Sequence, residues 1–111
     1  MPDTVNNAIH DFLSQIKMML GDQFSKMILY GSYARGDYQS NSDVDILILA
    51  KMSESEIKVI ENEIFDLAFD VEMETGVDIS PIVKNEDHYM YWADTLPFYK
   101  NIKEEGVLIS G

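Results

Sequence analysis

The stretch MILYGSYARGDYQSNSDVDILILA, residues 27–50, determines the fold of this chain. It begins with a short apolar run, Met27–Tyr30, which predicts a buried strand that ends in a turn at Gly31. Polar, turn-forming residues follow over 32–42. The nearly continuous apolar run Val44–Ala50 then predicts a strand covered on both faces, because such runs are typical of the centre of a sheet. The second of these strands is predicted to form the core of the sheet.

Helical periodicity is found on both sides of this stretch. Residues 3–20 carry apolar side chains at the 3.6-residue spacing of one helix face, and Gly21 marks the end of that predicted helix. Ser53 and Glu56 have the spacing of a capping box, so a second helix is predicted to begin there and to end at Gly76. Its acidic side chains predict a solvated face. These acids are Glu54, Glu56, Glu61, Glu63, Asp66, Asp70, Glu72 and Glu74.

The remaining residues predict two more strands and two more helices. Residues 77–83 alternate weakly and include Pro81, which places the far end of that strand at an edge or a bulge. A helix is predicted from Asn85, and Pro97 suits the first turn of another, before a last strand at 107–109. The fold class is therefore α/β or α+β, with helices layered on a sheet. Core packing is expected for most aromatic residues of this region, with a partner surface as the alternative: Tyr89, Tyr91, Trp92, Phe98 and Tyr99.

Length and composition are those of one globular domain, residues 1–111. The chain has 46% hydrophobic and 25% charged residues, which is enough apolar material for a core of its own. It contains no cysteine, which excludes disulfide frameworks, thiolate zinc sites and thiol nucleophiles. No stretch approaches the roughly 18 apolar residues that span a bilayer, and the N-terminus lacks the pattern of a signal peptide. We therefore expect a single-domain cytoplasmic protein without membrane contact.

The charge of the chain is strongly acidic. Twenty acidic residues against eight basic ones give a formal net charge of -12. A protein that binds a phosphate backbone needs a Lys/Arg footprint, whereas the basic residues here are scattered and include a single arginine, Arg35. We expect no direct nucleic-acid binding.

Three aspartates occupy positions where strands are predicted, although acids are poor strand formers. Asp43 and Asp45 open the strongest strand, and Asp78 lies in the next one. Residues i and i+2 project from the same face of a strand, with Cα atoms roughly 6.5 to 7 Å apart, so the first two carboxylates are expected to share one space inside the sheet. Such a pair is costly to bury unless a cation neutralises it. The pattern predicts a magnesium site, to which Asp78 could add a third carboxylate.

The turn before this strand has the features of a phosphate site. Gly31 and Ser32 directly follow a strand and are predicted to open a short helix, where free backbone amides and a hydroxyl attract anions. Arg35, one helical turn further on, is either a phosphate contact or a structural ion-pair partner of the nearby acids. The chain has no Walker P-loop, no GxGxxG and no EF-hand loop, so those nucleotide and calcium sites are excluded.

These residues resemble a known pattern. Gly31-Ser32, ten residues and then Asp43-Val44-Asp45 match the GSx10DxD signature of the DNA polymerase β-like nucleotidyltransferase superfamily. More narrowly, GSYARGDYQSNSDVDILIL and the ending PFYKNIKEEGVLISG are similar to minimal nucleotidyltransferase (MNT) antitoxins, which pair with a HEPN ribonuclease toxin. The resemblance implies a mixed sheet of three to four strands packed with helices.

The resemblance also implies an activity and roles for the residues. It implies AMP transfer from ATP, with Asp43 and Asp45 as ligands of two Mg²⁺ ions, Gly31 and Ser32 as the triphosphate site, and Asp78 as a catalytic and metal-binding acid at the acceptor hydroxyl. In MNT antitoxins that acceptor is a tyrosine of the toxin, which AMPylation silences. The implied partner is therefore a HEPN-domain toxin.

Alternative interpretations of the sequence have to be tested separately. The protein could neutralise a toxin by binding alone, with a vestigial metal site, or it could transfer a nucleotide to a small molecule or RNA. The acidic surface and the absence of an acceptor domain disfavour the last of these. Asp78 could also be a surface acid at the start of a strand.

Overall fold

The computed structural model describes all residues, 1–111. It contains five α-helices, four β-strands and one 3-10 turn at Gly21–Gln23. In chain order the elements are α1 Asp3–Leu20, β1 Phe24–Tyr30, α2 Ser32–Arg35, β2 Val44–Ala50, α3 Glu54–Thr75, β3 Ile79–Asn85, α4 Glu86–Trp92, α5 Pro97–Glu105 and β4 Val107–Ser110. None of the helices combines the length and the apolar character that crossing a membrane requires.

The four strands form one mixed sheet in the order β3-β2-β1-β4. Strand β1 is antiparallel to both β2 and β4, whereas β2 and β3 are parallel. The register places Asp45 of β2 opposite Tyr30 of β1 on one side and Ser80 of β3 on the other. The first residues of β2 and β3 therefore lie at the same end of the sheet as the last residues of β1.

Helices cover both faces of this sheet. On one face α1 and α3 pack on a core that includes Ile46 and Ile48, and on the other face α4 and α5 pack on Leu47 and Leu49. This two-sided burial confirms the environment predicted for β2, and it explains why an alternating pattern is absent there. Because side chains alternate along a strand, Asp45 projects from the α4/α5 face.

Most predicted boundaries are confirmed. Helix α1 and strand β2 have the predicted limits, and α3 begins with the predicted capping box, in which Ser53 and Glu56 bond reciprocally. Strand β3 begins and ends two residues later than predicted, at Ile79 and Asn85. The shift arises because Asn85 still pairs with Ala50 of β2, whereas residues 77–78 belong to the connection from α3.

The aromatic residues of α4 and α5 divide between core and surface. Tyr89 and Tyr99 are buried against the sheet, whereas Tyr91, Trp92 and Phe98 are 76%, 36% and 45% exposed. The expectation that this group lies chiefly in the core is therefore wrong for three of its five members. Both helices are short and have only one side on the sheet, so the other side of each faces solvent.

Candidate active site

The turn between β1 and α2 is built around Gly31. This residue is the N-cap of α2 and has φ 74° and ψ -154°, a combination that is essentially restricted to glycine. Its carbonyl oxygen accepts hydrogen bonds from the N–H groups of Ala34 and Arg35, each at 3.1 Å. As at any helix start, the first N–H groups, those of Ser32 and Tyr33, have no acceptor within the helix. The predicted short helix after Gly31 is thus confirmed.

The carboxylate of Asp45 lies directly against this turn. A Cβ atom added to Gly31 would collide with Oδ2 of Asp45, so the position requires glycine for space as well as for its backbone angles. The absence of a side chain lets an acid of β2 approach the backbone of the neighbouring turn. The candidate phosphate site and the candidate metal site are therefore in contact.

The other two aspartates lie at the ends where their strands begin. Asp43 directly precedes β2 and Asp78 directly precedes β3. Since Val44 pairs with Ile79 in the parallel register, and the Val44 N–H donates to the Asp78 carbonyl at 2.8 Å, the two acids occupy equivalent positions on neighbouring strands. The three predicted acids are thus brought to one end of the sheet.

None of the three acids is buried, which corrects the expectation that they lie inside the sheet. Asp43 and Asp78 are exposed and Asp45 is half-buried. Asp43 and Asp78 are exposed because they lie just outside their strands, at the end of the sheet. Asp78 is also one residue before β3 rather than within it.

Desolvation and mutual repulsion both disfavour the charged forms of these acids. Desolvation raises the pKa of the Asp45 carboxyl above its ordinary value and the charge of Asp43 raises it further, while Arg35 opposes the shift. The pKa of Asp78 is also raised, first by desolvation, then by a hydrogen bond with and repulsion from Asp43, and then by Glu72. Carboxylate oxygens are the ligands that a hard divalent cation prefers, and the protein supplies little positive charge here. The three aspartates are not, however, drawn together into a group that could hold a metal ion.

A cavity of about 440 Å³ opens beside Gly31 and Asp45. Tyr30 forms one of its walls, and its hydroxyl pKa is raised to about 12 by desolvation and by the neighbouring charge of Asp45. Phe98 of α5 packs edge-to-face on Tyr30, with ring centroids 5.6 Å apart. The lining residues are Tyr30, Gly31, Ser32, Arg35, Asp45, Phe98, Asn101, Ile102 and Glu105. Four of the predicted site residues thus share one cavity.

Asp78 faces a different and smaller cavity. That cavity measures about 180 Å³ and is lined by residues of α1 and α2, of the 40–42 loop and of the 76–78 connection. A third cavity, of about 440 Å³, lies between α4, α5 and β1 and contains none of the predicted site residues. The cavity beside Gly31 and Asp45 is therefore the candidate active site because of its charged groups and not because of its size.

Arg35 is held by two carboxylates. Its Nε atom lies 3.2 Å from Oδ2 of Asp37, and its Nη1 atom lies 3.5 Å from Oε2 of Glu105. The structure thus contains the ion pairs that were one of the two expectations for Arg35, and it also places Arg35 in the lining of the cavity beside Gly31 and Asp45.

Sequence reasoning did not identify Phe98, Asn101 and Glu105 as lining residues. Their spacing puts them on one side of α5, but only the sheet order shows that this side meets the cavity.

The repulsion among the acids leads to a stability prediction. In metal-free buffer at pH 7, the Asp78→Asn variant is expected to melt about 2 °C above the wild type. The screened repulsion between the carboxylates of Asp78 and Asp43 lowers the free energy of unfolding of the wild type by about a few tenths of a kcal/mol. Since the carboxyl has a raised pKa in the folded state, ionisation costs stability only above the ordinary aspartate pKa, about 3.9. The higher Tm of Asp78→Asn should therefore fall to the wild-type value near pH 3.5. Calorimetric Tm values of both proteins, with Asp87→Asn as the charge-matched control, test this; a lower Tm for Asp78→Asn at pH 7 would contradict it.

The fold and the site together define a class of enzyme. A mixed sheet carries a glycine-serine turn after β1 that meets an aspartate of β2, with two further acids at the same end, and these are the features that the sequence shares with nucleotidyltransferases.

Comparison with known proteins identifies the family. The profile of the family described as "Nucleotidyltransferase domain" matches residues 12–109. "Putative protein adenylyltransferase MJ0604" of Methanocaldococcus jannaschii is 34% identical over 102 residues, which cover 89% of this chain and 91% of that protein. MJ0141, with the same description and organism, is 40% identical over 75 residues, 68% of this chain and 74% of its own length. The chain belongs to the nucleotidyltransferase domain family and is a nucleotidyltransferase, as the resemblance of its sequence implied.

Solved structures share the fold. A toxin–antitoxin crystal structure with AMP-PNP has a TM-score of 0.55 and 16% identity, and the match covers 91% of this chain and 72% of that one. A mutant of the toxin–antitoxin MntA-HpeT, also a crystal structure, has the same TM-score with 14% identity and the same coverage. At these identities the likeness establishes the four-stranded nucleotidyltransferase fold.

Proposed function

We propose that this protein transfers AMP from ATP to a tyrosine hydroxyl of a HEPN-domain toxin and thereby acts as its antitoxin. The contact of Gly31 with Asp45 at the mouth of a 440 Å³ cavity carries this proposal, since it joins a phosphate-binding turn to a carboxylate group. The names of the relatives, protein adenylyltransferases, support the transfer to a protein. The structural neighbours, which are toxin–antitoxin pairs, support the choice of partner.

The residues at the site fit magnesium. Asp43, Asp45 and Asp78 offer only carboxylate oxygens, the ligands that Mg²⁺ prefers, and their mutual repulsion has no sufficient positive counterpart in the chain. When bound, two such ions would stabilise the attacking and leaving oxygens of the transfer. Asp43 and Asp45 would hold the ions and Asp78 would add a third carboxylate, which requires the three side chains to draw together when the cation binds.

The turn residues would hold the triphosphate. The N–H groups at the start of α2 and the Ser32 hydroxyl donate to its oxygens, and the missing side chain of Gly31 lets the phosphates approach the backbone. Arg35 would turn from its ion pairs with Asp37 and Glu105 toward the phosphates, since those ion pairs are solvent-exposed and therefore weak. These groups fix the α-phosphate in front of the acids.

The acceptor side of the site lies at Asp78. A tyrosine hydroxyl presented there would lose its proton to the carboxylate, form a bond from its oxygen to the α-phosphorus and displace pyrophosphate. The cavity at Gly31 is lined by Asp45 and the smaller cavity by Asp78, so the two cavities reach different members of the acid group, which suits a nucleotide in one and a protein acceptor at the other. The net charge of -12 favours a basic partner, as expected of an RNA-binding toxin.

Intact-mass measurement tests the proposed function. The wild-type protein, incubated with ATP, Mg²⁺ and a HEPN-domain toxin, should increase the mass of the toxin by whole AMP units, and peptide mapping should locate them on tyrosine. Omission of ATP or addition of EDTA should leave the toxin unmodified. If the toxin is recovered in complex with folded wild-type protein and its mass is unchanged, the catalytic part of the proposal is contradicted.

A further inference from the structure

Helix α3 carries an apolar surface that no other element covers. Phe65, Phe69 and Met73 follow one another at four-residue spacing, so they lie along one side of the helix. Their exposed fractions are 49%, 57% and 64%, while the opposite side of α3, with Ile64, Ala68 and Val71, is buried in the core. We call these three exposed residues the α3 ridge. The expectation of a purely solvated, acidic face on this helix is therefore incomplete.

Acidic residues border the α3 ridge on both sides. At 100° per residue, Glu61 and Glu72 lie on one flank and Asp66 and Asp70 on the other. An apolar centre with charged rims is the usual composition of a protein interface. Here all four rim charges are negative, so the complementary surface is an apolar stripe bordered by Lys or Arg.

The α3 ridge leads toward the acceptor side of the site. Helix α3 ends at Thr75, two residues after the last ridge residue, and Asp78 follows three residues later. The acidic rim continues toward the same place, since Glu72 lies in the last turn of α3 and its carbonyl oxygen accepts a hydrogen bond from the N–H of Gly76 at 2.7 Å, two residues before Asp78. A protein lying along the α3 ridge would therefore extend to the end of the sheet where Asp43 and Asp78 lie.

We propose that the α3 ridge is the docking surface for the protein that carries the acceptor tyrosine, and that this partner contacts it through a helix with an apolar stripe bordered by Lys and Arg. The proposal rests on the proposed function and adds where the substrate protein binds. A second copy of this chain is a poor occupant, because pairing two α3 ridges would bring two acidic rims together on proteins of charge -12 each.

Binding measurements without ATP test the docking surface. For the Phe65→Ser/Phe69→Ser variant, we expect the Kd for an immobilised HEPN toxin to rise at least tenfold, because exposed aromatic anchors dominate such interfaces. Met18→Ser, which alters an 85% exposed side chain on α1, is the control and should bind like the wild type. Asp66→Lys/Asp70→Lys should slow association, and wild-type association should slow as salt is raised.

The outcomes separate docking from catalysis. If ridge variants that keep the wild-type Tm bind the toxin within twofold of the wild type, or if the wild type does not bind it, the docking surface is refuted. AMP transfer that proceeds with unchanged KM for the toxin in Phe65→Ser/Phe69→Ser also refutes it. Binding that depends on the α3 ridge without AMP transfer to the toxin supports the docking surface and contradicts only the proposed catalysis.

Discussion

The Asp43→Asn/Asp45→Asn variant is expected to transfer AMP at least about a thousandfold more slowly than the wild type. The amides keep the size of the side chains but remove two negative charges, and with them the proposed ligands of the cations that would stabilise the transferred adenylyl group. That stabilisation is worth several kcal/mol, and each 1.36 kcal/mol is a factor of ten in rate. Single-turnover rates at saturating ATP and toxin measure the effect directly.

A charge-matched control separates this effect from the overall field of the protein. Asp11→Asn/Asp22→Asn removes the same two charges from exposed side chains, one in α1 and one in the 3-10 turn that precedes β1, and is expected to retain the wild-type rate. Relief of repulsion should keep the Tm of Asp43→Asn/Asp45→Asn at or above the wild-type value, and the control should melt within about 3 °C of the wild type, because both of its side chains are exposed. A rate for Asp43→Asn/Asp45→Asn within tenfold of the control would exclude a role for these aspartates in catalysis.

The same variant distinguishes catalysis from masking. If the antitoxin acts by AMP transfer, cells that express the toxin with Asp43→Asn/Asp45→Asn should stop growing even where the two proteins still bind each other. Neutralisation by the variant at wild-type level would instead favour an antitoxin that covers the toxin. Binding through the α3 ridge is compatible with both, so growth and modification of the toxin have to be measured together.

The fold was predictable to the extent that local signals and tertiary structure agree. The limits of β2 follow from an apolar run, and those of α3 from its capping box and Gly76, because each signal is a property of neighbouring residues. The start of β3 was placed wrongly because Val77, although apolar and buried, lies in a connection. The pairing of β3 with β2 decides where β3 begins, and strand pairing depends on residues that are distant in sequence.

The candidate site was predictable where its residues lie close in sequence. Gly31, Ser32 and Asp45 meet because the chain makes one antiparallel return between β1 and β2. Asp78 could be placed near Asp43 only by assuming that β3 pairs in parallel with β2. Phe98 of α5 was missed because the position of α5 beside the end of β1 depends on the pairing of β4 with β1. The four residues of β4 do not by themselves specify that pairing.

Gly31→Ala is expected to have the largest effect on stability, a loss of about 3 kcal/mol or more in the free energy of unfolding. The backbone at φ 74° and ψ -154° costs an alanine about 1–3 kcal/mol, and the collision of its Cβ with Oδ2 of Asp45 adds to that cost. Gly36 is the matched control. It also has a positive φ, 84°, but its Cβ would meet no atom within 4 Å, so Gly36→Ala should cost only about 1–2 kcal/mol.

The double variant Gly31→Ala/Asp45→Ala isolates the contact between turn and acid. Removing the carboxylate leaves space for the new Cβ, so the double variant is expected to be more stable than the sum of the two single changes, by about 1 kcal/mol or more. It should not regain AMP transfer, since the acid is gone and the backbone angle remains strained. Urea unfolding of all four proteins gives the coupling energy. Simple additivity would show that Gly31 is required for its backbone angles alone, and that the phosphate-binding turn does not depend on the approach of Asp45.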